Sequence, residues 1–235
     1  MSNSNRPKVL VTGASSGIGQ AIAELLSQNG FTVLGTTRDV SGQDQSVAWQ
    51  WVPLDLRGED SINALPQQVG EVDFLVNSAG KAYLSSLIDG EAEQWDEMWE
   101  VNVRGLALVT KVMLPQISST GAVINISSLS GHRVPPSGGF YSPTKFAVRA
   151  LTESLRLELR GRGSSIRVGS ISPGFVDTPL LNDYFDGRDA ALEQLRKSAT
   201  MLKPEDVAAV VMTWVLAEPY VELGDISLRS VAQSI

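Results

Sequence analysis

The sequence predicts a single doubly wound α/β domain over residues 1–235, with a parallel sheet of about seven strands and helices on both faces. Short apolar runs rich in β-branched residues recur along the chain, helical patterns separate most of them, and no linker divides the sequence. Alternating strands and helices form right-handed βαβ units, which build a parallel sheet. The nearly continuous apolar character of the runs indicates strands that are buried on both faces.

The apolar runs give the order of the predicted strands. They are KVLVTG (8–13), TVLGTTR (32–38), AWQWVPLDL (48–56), VDFLVNSAG (72–80), AVINISS (122–128), IRVGSISPG (166–174) and GDISLR (224–229). The connection over 39–47 is shorter than the ~12 residues that a parallel crossover usually needs, so we expect a clipped helix there. The least regular region follows the sixth strand, and we expect a small substrate lid at about 175–203.

Composition and charge exclude several kinds of site. The net charge of −7 argues against nucleic acid as the main partner. The absence of cysteine excludes disulfides, thiolate nucleophiles and iron–sulfur clusters, and the single histidine, His132, argues against a zinc site, so we expect metal-free chemistry. No apolar run reaches the length of a membrane span, and the opening MSNSNRPK lacks an apolar signal core. We therefore expect a cytoplasmic protein without a membrane partner.

A glycine-rich turn, TGASSGIG over 12–19, directly follows the first predicted strand and opens a helical run. Glycines at 13, 17 and 19 allow a tight turn and a close backbone approach, which leaves N–H groups at the start of the helix free for a pyrophosphate. The Lys-Ser/Thr pair of a nucleoside triphosphatase loop is absent. The turn therefore indicates dinucleotide binding, with a purely structural strand-to-helix turn as the alternative.

Tyr141 and Lys145 lie four residues apart, so they share one face of a helix. Pro143 between them is tolerated only in the first turn, which places the pair at a helix entrance. An ammonium group near the phenol would lower the pKa of the phenol and make it a proton donor or acceptor near neutrality. On its own, the pair is also compatible with two unrelated surface residues.

With both motifs in one chain, the sequence resembles the short-chain dehydrogenase/reductase family, whose dinucleotide-binding domain has the Rossmann fold, over essentially its whole length. The family's elements appear in order: TGASSGIG, Asp55-Leu56, NSAG (77–80), Asn102, Ser128, YSPTK (141–145) and SPGFVDT (172–178).

The resemblance implies a catalytic set. Tyr141 would exchange a proton with the substrate oxygen, while Lys145 lowers the pKa of Tyr141 and binds the nicotinamide ribose. Ser128 would polarise the carbonyl. We assign this role to Ser128 and not to Ser127, because the thirteen-residue step from Ser128 to Tyr141 suits the family better. Asn102 would hold a water in a proton relay behind the lysine.

The resemblance also implies the cofactor contacts. Asp55 resembles the adenine contact, 77–80 the strand end that supports the adenine ribose and the central sheet, and 173–178 the nicotinamide carboxamide site. Ser78 stands where the family often has a second Asn. The full set is Gly13, Ser15, Ser16, Gly17, Ile18, Gly19, Arg38, Asp55, Leu56, Asn77, Ala79, Gly80, Tyr141, Lys145, Pro173, Gly174, Val176 and Thr178.

The end of the second strand, LGTTRD, predicts a preference for NADP(H) over NAD(H). An NAD site usually has an acidic residue at this strand end, and its carboxylate repels a 2′-phosphate. Here the position is Thr37, followed by Arg38, which would form a charge-assisted contact with the phosphate. Asp39 opposes this preference, and Ser16 stands where many NADP-dependent relatives carry a second basic residue.

We therefore expect an NADP(H)-dependent oxidoreductase that interconverts a ketone or aldehyde and an alcohol. The segments 130–160, 202–211 and 224–229 resemble the branch with NADP-dependent ketosteroid and carbonyl reductases and insect farnesol dehydrogenases. One alternative is a 3-hydroxy-acid dehydrogenase, which would need Arg133 or Arg188 to clamp a carboxylate, although we expect both to be surface residues. The other is a non-catalytic dinucleotide-binding sensor; such proteins usually lose the tyrosine or the lysine.

Two further expectations concern His132 and assembly. The Tyr–Lys pair already supplies proton transfer, so we expect a structural role for His132. Predicted helices over 93–117 and 146–159 carry apolar residues on more than one face, and the resemblance implies that they pair across a twofold axis. We expect a homodimer or homotetramer that acts on a small-molecule carbonyl or alcohol.

Overall fold

The computed structural model describes residues 6–136, 138–198 and 200–233. Seven parallel strands form one sheet in the order β3-β2-β1-β4-β5-β6-β7, which confirms the predicted fold. The strands are β1 (Lys8–Val11), β2 (Thr32–Thr37), β3 (Gln50–Pro53), β4 (Val72–Asn77), β5 (Ile117–Ile126), β6 (Arg167–Pro173) and β7 (Asp225–Leu228). The strand order reverses between β1 and β4, and the crevice outside their carboxyl ends is where ligands bind in such sheets.

The helices cover both faces of the sheet. They are α1 (Gly17–Gln28), α2 (Glu59–Val69), α3 (Ala92–Trp99), α4 (Leu106–Met113), α5 (Tyr141–Gly161), α6 (Pro179–Tyr184), α7 (Asp189–Ser198) and α8 (Pro204–Leu216). Alternate residues of β1 enter different cores: Val9 and Val11 pack in the core with residues of α1 and α8, and Leu10 packs in the core with residues of α2 and α4. The sheet thus has a buried apolar layer on each face. Among the described residues, no helix is both long and apolar enough to cross a bilayer.

The connection between β2 and β3 contains no helix, so the predicted clipped helix over 39–47 is wrong. Asp39 and Asp44 each accept a hydrogen bond from the backbone N–H two residues further on, at 2.9 and 2.8 Å, and such side-chain turns compete with helix formation. Trp49 packs against Gly35, where a Cβ would lie 2.8 Å from the indole ring, and so covers β2.

A π-helical segment, Glu100–Gly105, separates α3 from α4. Gly105 allows close packing there, because a Cβ at this position would lie 2.7 Å from the carbonyl oxygen of Leu56. The segment buries Asn102 at the carboxyl end of the sheet. Single π turns of this kind often occur at functional sites.

Candidate active site

A groove of about 460 Å³ lies at the carboxyl ends of the central strands. It contains most of the predicted cofactor contacts: Gly13, Ser15, Ser16, Gly17, Ile18, Gly19, Arg38, Asp55, Leu56, Ala79, Gly80 and Thr178. These residues come from the turn after β1 and from the ends of β2, β3, β4 and β6. The groove therefore crosses the point where the strand order reverses, as a dinucleotide site in this fold requires.

The glycine turn is shaped to approach a ligand closely. Gly13 has a φ of 70°, and a Cβ there would lie 2.7 Å from the Cα of Ala79. A Cβ on Gly19 would overlap the carbonyl oxygen of Gly13. Helix α1 begins at Gly17, and the side chain of Ser16 forms no capping hydrogen bond, so the N–H groups of the first turn are free of a side-chain cap. This arrangement fits the pyrophosphate of a dinucleotide.

The sequence interpretation missed Thr12, which fixes the turn to the end of β4. Its buried hydroxyl accepts hydrogen bonds from the N–H groups of Ser78 and Ala79 at 3.0 and 3.1 Å. A hydroxyl residue just before the first glycine was the available clue. The hydroxyl of Ser78, the position that departs from the family pattern, is buried and has no hydrogen-bond partner among the described residues.

Asn77 does not reach the groove. Its side chain faces the interior and donates hydrogen bonds to the Thr110 hydroxyl at 3.0 Å and to the Asn125 side-chain oxygen at 2.9 Å. Successive residues of a strand point to opposite faces, and Asn77 shares the face of Leu75, towards α4. Its side chain thus joins β4 to β5 and α4, and the predicted direct contact with the cofactor requires correction.

Two arginines border the groove beyond β2 and β3. Arg38 is exposed and has no ion-pair partner among the described residues. Arg57, which the sequence interpretation missed, donates to Asp55 from its backbone N–H at 3.0 Å and from Nε at 3.4 Å. The backbone hydrogen bond is the largest cause that lowers the pKa of Asp55, and the charges of both arginines act in the same direction. The Asp39 carboxylate, meanwhile, accepts hydrogen bonds from both the N–H and the hydroxyl of Ser41.

A second cavity of about 160 Å³ adjoins the groove and shares Ile18, Ser78, Gly80, Thr178 and Leu180 with it. Its lining includes the predicted residues Ser128, Tyr141, Lys145, Pro173, Gly174, Val176 and Thr178. Ser128 follows β5, and its hydroxyl accepts a hydrogen bond from Ser130 N at 3.1 Å and contacts the phenol of Tyr141. Three of the four predicted catalytic side chains thus line one small cavity beside the groove.

Burial shifts the pKa values of both Tyr141 and Lys145. Burial raises the pKa of the Tyr141 phenol, while the hydrogen bond with Ser128 opposes this shift. Burial lowers the pKa of Lys145, which is 6% exposed, to about 8. The Nζ of Lys145 donates to the carbonyl of Ile126 at 3.1 Å and lies 5.7 Å from the centre of the Tyr141 ring. The expected lowering of the phenol pKa is therefore wrong for the protein alone, because the loss of solvent outweighs the opposing hydrogen bond with Ser128.

Asn102 is buried behind these residues and holds the chain after β4. Its Oδ1 accepts from Lys81 N at 2.7 Å, and its Nδ2 donates to Lys81 O at 2.8 Å and to the Thr144 hydroxyl at 3.1 Å. A Cβ on Gly80 would lie 3.4 Å from this Oδ1 and 3.9 Å from Lys145 Nζ. Asn102 and Lys145 thus approach the same glycine, at the junction of the groove and the cavity.

The sequence interpretation also missed the residues that hold α6 over both cavities. Lys81 Nζ forms an ion pair with Asp183 at 2.8 Å, and Leu84 N donates to Tyr184 O at 3.0 Å. The Tyr184 ring packs edge-on against Tyr141, with 5.7 Å between ring centres. These contacts join segments distant in sequence, and the lack of regular pattern after Gly174 gave no clue to them.

His132 lies outside both cavities and contacts a carboxylate on β7. Asp225 Oδ2 lies 2.8 Å from His132 Nε2 and 2.8 Å from Arg149 Nε, and Asp225 Oδ1 accepts from the Ser172 hydroxyl at 2.7 Å. This carboxylate therefore connects the loop after Ser128 with α5 and β6. The arrangement supports a structural role for His132.

The two arginines considered as carboxylate clamps occupy different places. Arg188 is exposed, as expected for a surface residue. Arg133 is half-buried, lines the smaller cavity and has no ion-pair partner among the described residues. The expectation that Arg133 is a surface residue therefore requires correction, because the turn after Ser128 directs the chain along the cavity.

The chain is similar to known oxidoreductases over nearly its whole length. The family described as short chain dehydrogenase matches residues 7–189. Dehydrogenase/reductase SDR family member 11 of Bos taurus is 39% identical over 244 residues, which cover 95% of this chain and 96% of the bovine protein. An uncharacterised oxidoreductase of Staphylococcus aureus is 35% identical over 234 residues, which cover 94% of this chain and 96% of the bacterial protein.

Solved structures show the same similarity. The closed form of serine dehydrogenase complexed with NADP+ superposes with a TM-score of 0.90 at 30% identity, over 97% of this chain and 96% of that one. An alcohol dehydrogenase from the archaeon Thermococcus sibiricus, complexed with 5-hydroxy-NADP, gives a TM-score of 0.81 at 27% identity, over 98% and 99% of the two chains.

The lowered pKa of Lys145 predicts a pH-dependent stability. The pKa falls from 10.5 to about 8 on folding, so between these values the unfolded chain binds more protons and stability rises with pH. Below pH 8 the burial of the charge opposes folding by about 3 kcal/mol, whereas Lys145→Met also removes the hydrogen bond to Ile126, which contributes about 1 to 2 kcal/mol. We expect Lys145→Met to stabilise the cofactor-free protein by about 1 to 2 kcal/mol at pH 7 and to lose this advantage by pH 10.

Urea unfolding at both pH values measures this difference. The exposed Lys111 on α4 provides the matched control, and Lys111→Met should change stability by less than about 0.5 kcal/mol at either pH. A Lys145→Met protein that is less stable than the wild type at pH 7 would contradict the prediction.

Proposed function

The chain belongs to the short-chain dehydrogenase family of oxidoreductases, and we propose that it is an NADP(H)-dependent enzyme that interconverts a ketone or aldehyde and the corresponding alcohol. One observation carries the proposal: Ser128, Tyr141 and Lys145 meet in a small cavity that opens onto the dinucleotide-shaped groove. The contact between the Ser128 hydroxyl and the Tyr141 phenol creates a position where both groups can reach one substrate oxygen.

Each residue of the catalytic set has a distinct task. Bound NADP(H) would supply or accept the hydride. The phenol of Tyr141, whose pKa is raised, keeps its proton at neutral pH and can donate it to the oxygen of a carbonyl that is being reduced. Ser128 donates a hydrogen bond to the same oxygen and orients it. The charge of Lys145 lies near the phenol and stabilises the phenolate that remains after proton transfer.

The groove supports the cofactor part of the proposal. The glycine turn would hold the pyrophosphate, Asp55 the adenine, Lys145 the nicotinamide ribose, and Val176 and Thr178 the carboxamide. Arg38 would bind the 2′-phosphate, because it lines the groove and its guanidinium is not engaged with a carboxylate among the described residues. Arg57 contributes positive charge nearby, although Asp55 already accepts its hydrogen bonds.

The segment after β6 would act as the substrate lid. Helices α6 and α7 lie within 175–203, and α6 is fastened across the cavities by Lys81–Asp183 and by the edge-on packing of Tyr184 on Tyr141. Leu180, Leu181 and Tyr184 of this segment line the smaller cavity. A lid that carries cavity residues would exclude water when the substrate is bound.

The acid–base role predicts the behaviour of Tyr141→Phe. Loss of a positioned proton donor typically lowers kcat by about 10² to 10⁴-fold, so we expect a loss of this size. The phenol is not part of the glycine turn, so the affinity for NADPH should change by less than about threefold, a shift of less than ~0.7 kcal/mol. Steady-state kinetics and fluorescence titration measure these two quantities. Tyr220, which is largely exposed on the surface, provides the control Tyr220→Phe. A Tyr141→Phe enzyme within threefold of the wild-type kcat would remove this residue from the mechanism.

The phosphate contact predicts the cofactor preference. Hydrogen bonds between charged groups contribute about 1.5 to 3 kcal/mol, so kcat/KM should favour NADPH over NADH by about 10 to 150-fold. Arg38→Ala should remove most of this ratio by weakening NADPH alone. Arg57→Ala should lower this ratio less, because the guanidinium of Arg57 already forms an ion pair with Asp55. The exposed Arg162 supplies the control Arg162→Ala. Equal use of both cofactors by the wild type would refute the proposed preference.

Arg133 favours a second candidate, a 3-hydroxy-acid dehydrogenase. Arg133 lines the substrate cavity and has no carboxylate partner among the described residues, and a similar solved structure is a serine dehydrogenase. A screen of ketosteroids, aromatic ketones, diketones and terpenoid aldehydes with NADPH, and of serine and other 3-hydroxy acids with NADP+, separates the two candidates. Turnover of the acids alone, with a KM that rises about tenfold or more in Arg133→Met, would select the second. Cofactor binding without any turnover would instead favour the non-catalytic sensor.

We further propose a homodimer or homotetramer. Trp99 on α3, and Phe146 and Leu157 on α5, are 43%, 40% and 55% exposed, and large apolar side chains on the surface of two helices suit an isologous contact. Light scattering at micromolar concentration should give at least twice the mass of 25.2 kDa, and a monomer would contradict the proposal. The cytoplasmic location stays a prediction, which fractionation of cells that express the chain would test.

A further inference from the structure

The chain after β7 returns to the substrate cavity. After β7, the backbone turns through a hydrogen bond from Gln233 N to Ser230 O at 3.0 Å. The side chain of Gln233 then reaches the segment after β6, where its Oε1 accepts from Phe175 N at 3.0 Å. Gln233 lines the same cavity as Ser128 and Tyr141. None of the roles assigned above uses this residue.

The orientation of the Gln233 amide follows from its partner. A backbone N–H can only donate, so the atom that faces Phe175 N is the amide oxygen, and the NH₂ group lies at the other side. Nε2 has no hydrogen-bond acceptor among the described residues, and a Cβ on Gly174 would lie 3.1 Å from it. The same Cβ would overlap Oε1, so the side chain fits here only against a glycine. Gln233 thus carries two N–H donors without an acceptor among the described residues, and it belongs to the wall of the cavity.

The surrounding wall is mainly apolar, although Arg133 also lines the cavity. Ala82, Leu129, Pro135, Phe175, Val176 and Leu181 contribute to it, and the reacting end carries Ser128 and Tyr141. A substrate that fills this space has an apolar body and its reacting oxygen at the serine and tyrosine. An additional oxygen elsewhere on the substrate would find a donor at Gln233.

We propose that Gln233 is a specificity-determining residue, which donates a hydrogen bond from Nε2 to a second carbonyl or hydroxyl oxygen on an otherwise apolar ketone or alcohol. The inference rests on the proposed function, since it concerns the substrate of the same cavity. A site that offers a donor to a substrate oxygen rejects the analogue without that oxygen, because the donor is then left unpaired. The preferred substrates therefore carry two separated oxygen groups.

The test compares two ketones of one skeleton, trans-1-decalone and a decalindione. Calorimetric titration of the protein with NADP+ present measures both affinities, and NADPH-dependent reduction measures both kcat/KM values. A neutral hydrogen bond should give the wild type a preference of about three- to tenfold for the dione, mostly through affinity and KM.

Two variants separate the donor from the rest of the side chain. Gln233→Met keeps the approximate length and removes all hydrogen bonds. Gln233→Glu keeps an oxygen for Phe175 N, replaces the NH₂ donors with a second acceptor oxygen and adds a negative charge. Gln233→Met should reduce the preference to nearly one and leave affinity for the monoketone within about twofold. Gln233→Glu should reduce the preference at least as far, because its carboxylate repels a second oxygen on the substrate. Gln68→Met, at an exposed position of α2, is the control and should keep the wild-type ratio.

Each outcome decides the proposal. An unchanged dione-to-monoketone ratio in both variants would overturn it. An equal loss for both ketones would also overturn it, because Gln233 would then only support the segment around Phe175. Failure of the proposed function would look different. The protein would then reduce neither ketone, while the ratio of its affinities for the dione and the monoketone would still depend on Gln233.

Discussion

The two hydrogen bonds between Asn102 and the backbone of Lys81 connect the chain after β4 to the π-helical segment, at the junction of the groove and the cavity. The buried amide binds both polar groups of one residue and a third group on α5, the hydroxyl of Thr144. As a result, Gly80 faces Lys145 at the junction of groove and cavity, and the side chain of Lys81 extends to Asp183 on α6. A break in the regular helix supplies this geometry, because Asn102 lies within the π-helical segment between α3 and α4.

The burial of Tyr141 and Lys145 also costs electrostatic free energy. An ammonium and a phenol are buried side by side, and burial moves both pKa values toward the neutral forms. The carbonyl of Ile126 satisfies only part of the hydrogen-bonding capacity of the lysine. The parallel sheet can hold such a group because its two apolar layers stabilise the strands from both faces. Functional sites commonly retain such unfavourable features where the surrounding fold is rigid.

Local pattern was enough to predict the seven strands, the glycine turn and the positions of Tyr141 and Lys145, because each depends on periodicity, backbone freedom or helical spacing. Features that depend on tertiary contacts could not be predicted from the sequence. Asp39 and Asp44 replaced a helix with side-chain turns, strand alternation turned Asn77 inward, and Arg133 proved to line a cavity. The direction of the phenol pKa was also mistaken, because sequence spacing reports the neighbouring charge and not the loss of solvent.

The path of the chain after β7 makes the cavity depend on the edge of the sheet. Gln233 contributes to the wall of the cavity and accepts a hydrogen bond from Phe175 N. It follows β7, which pairs with β6 as the last strand in the sheet order. A change that loosens β7 from β6 would therefore disturb the cavity wall without altering any residue of the catalytic set.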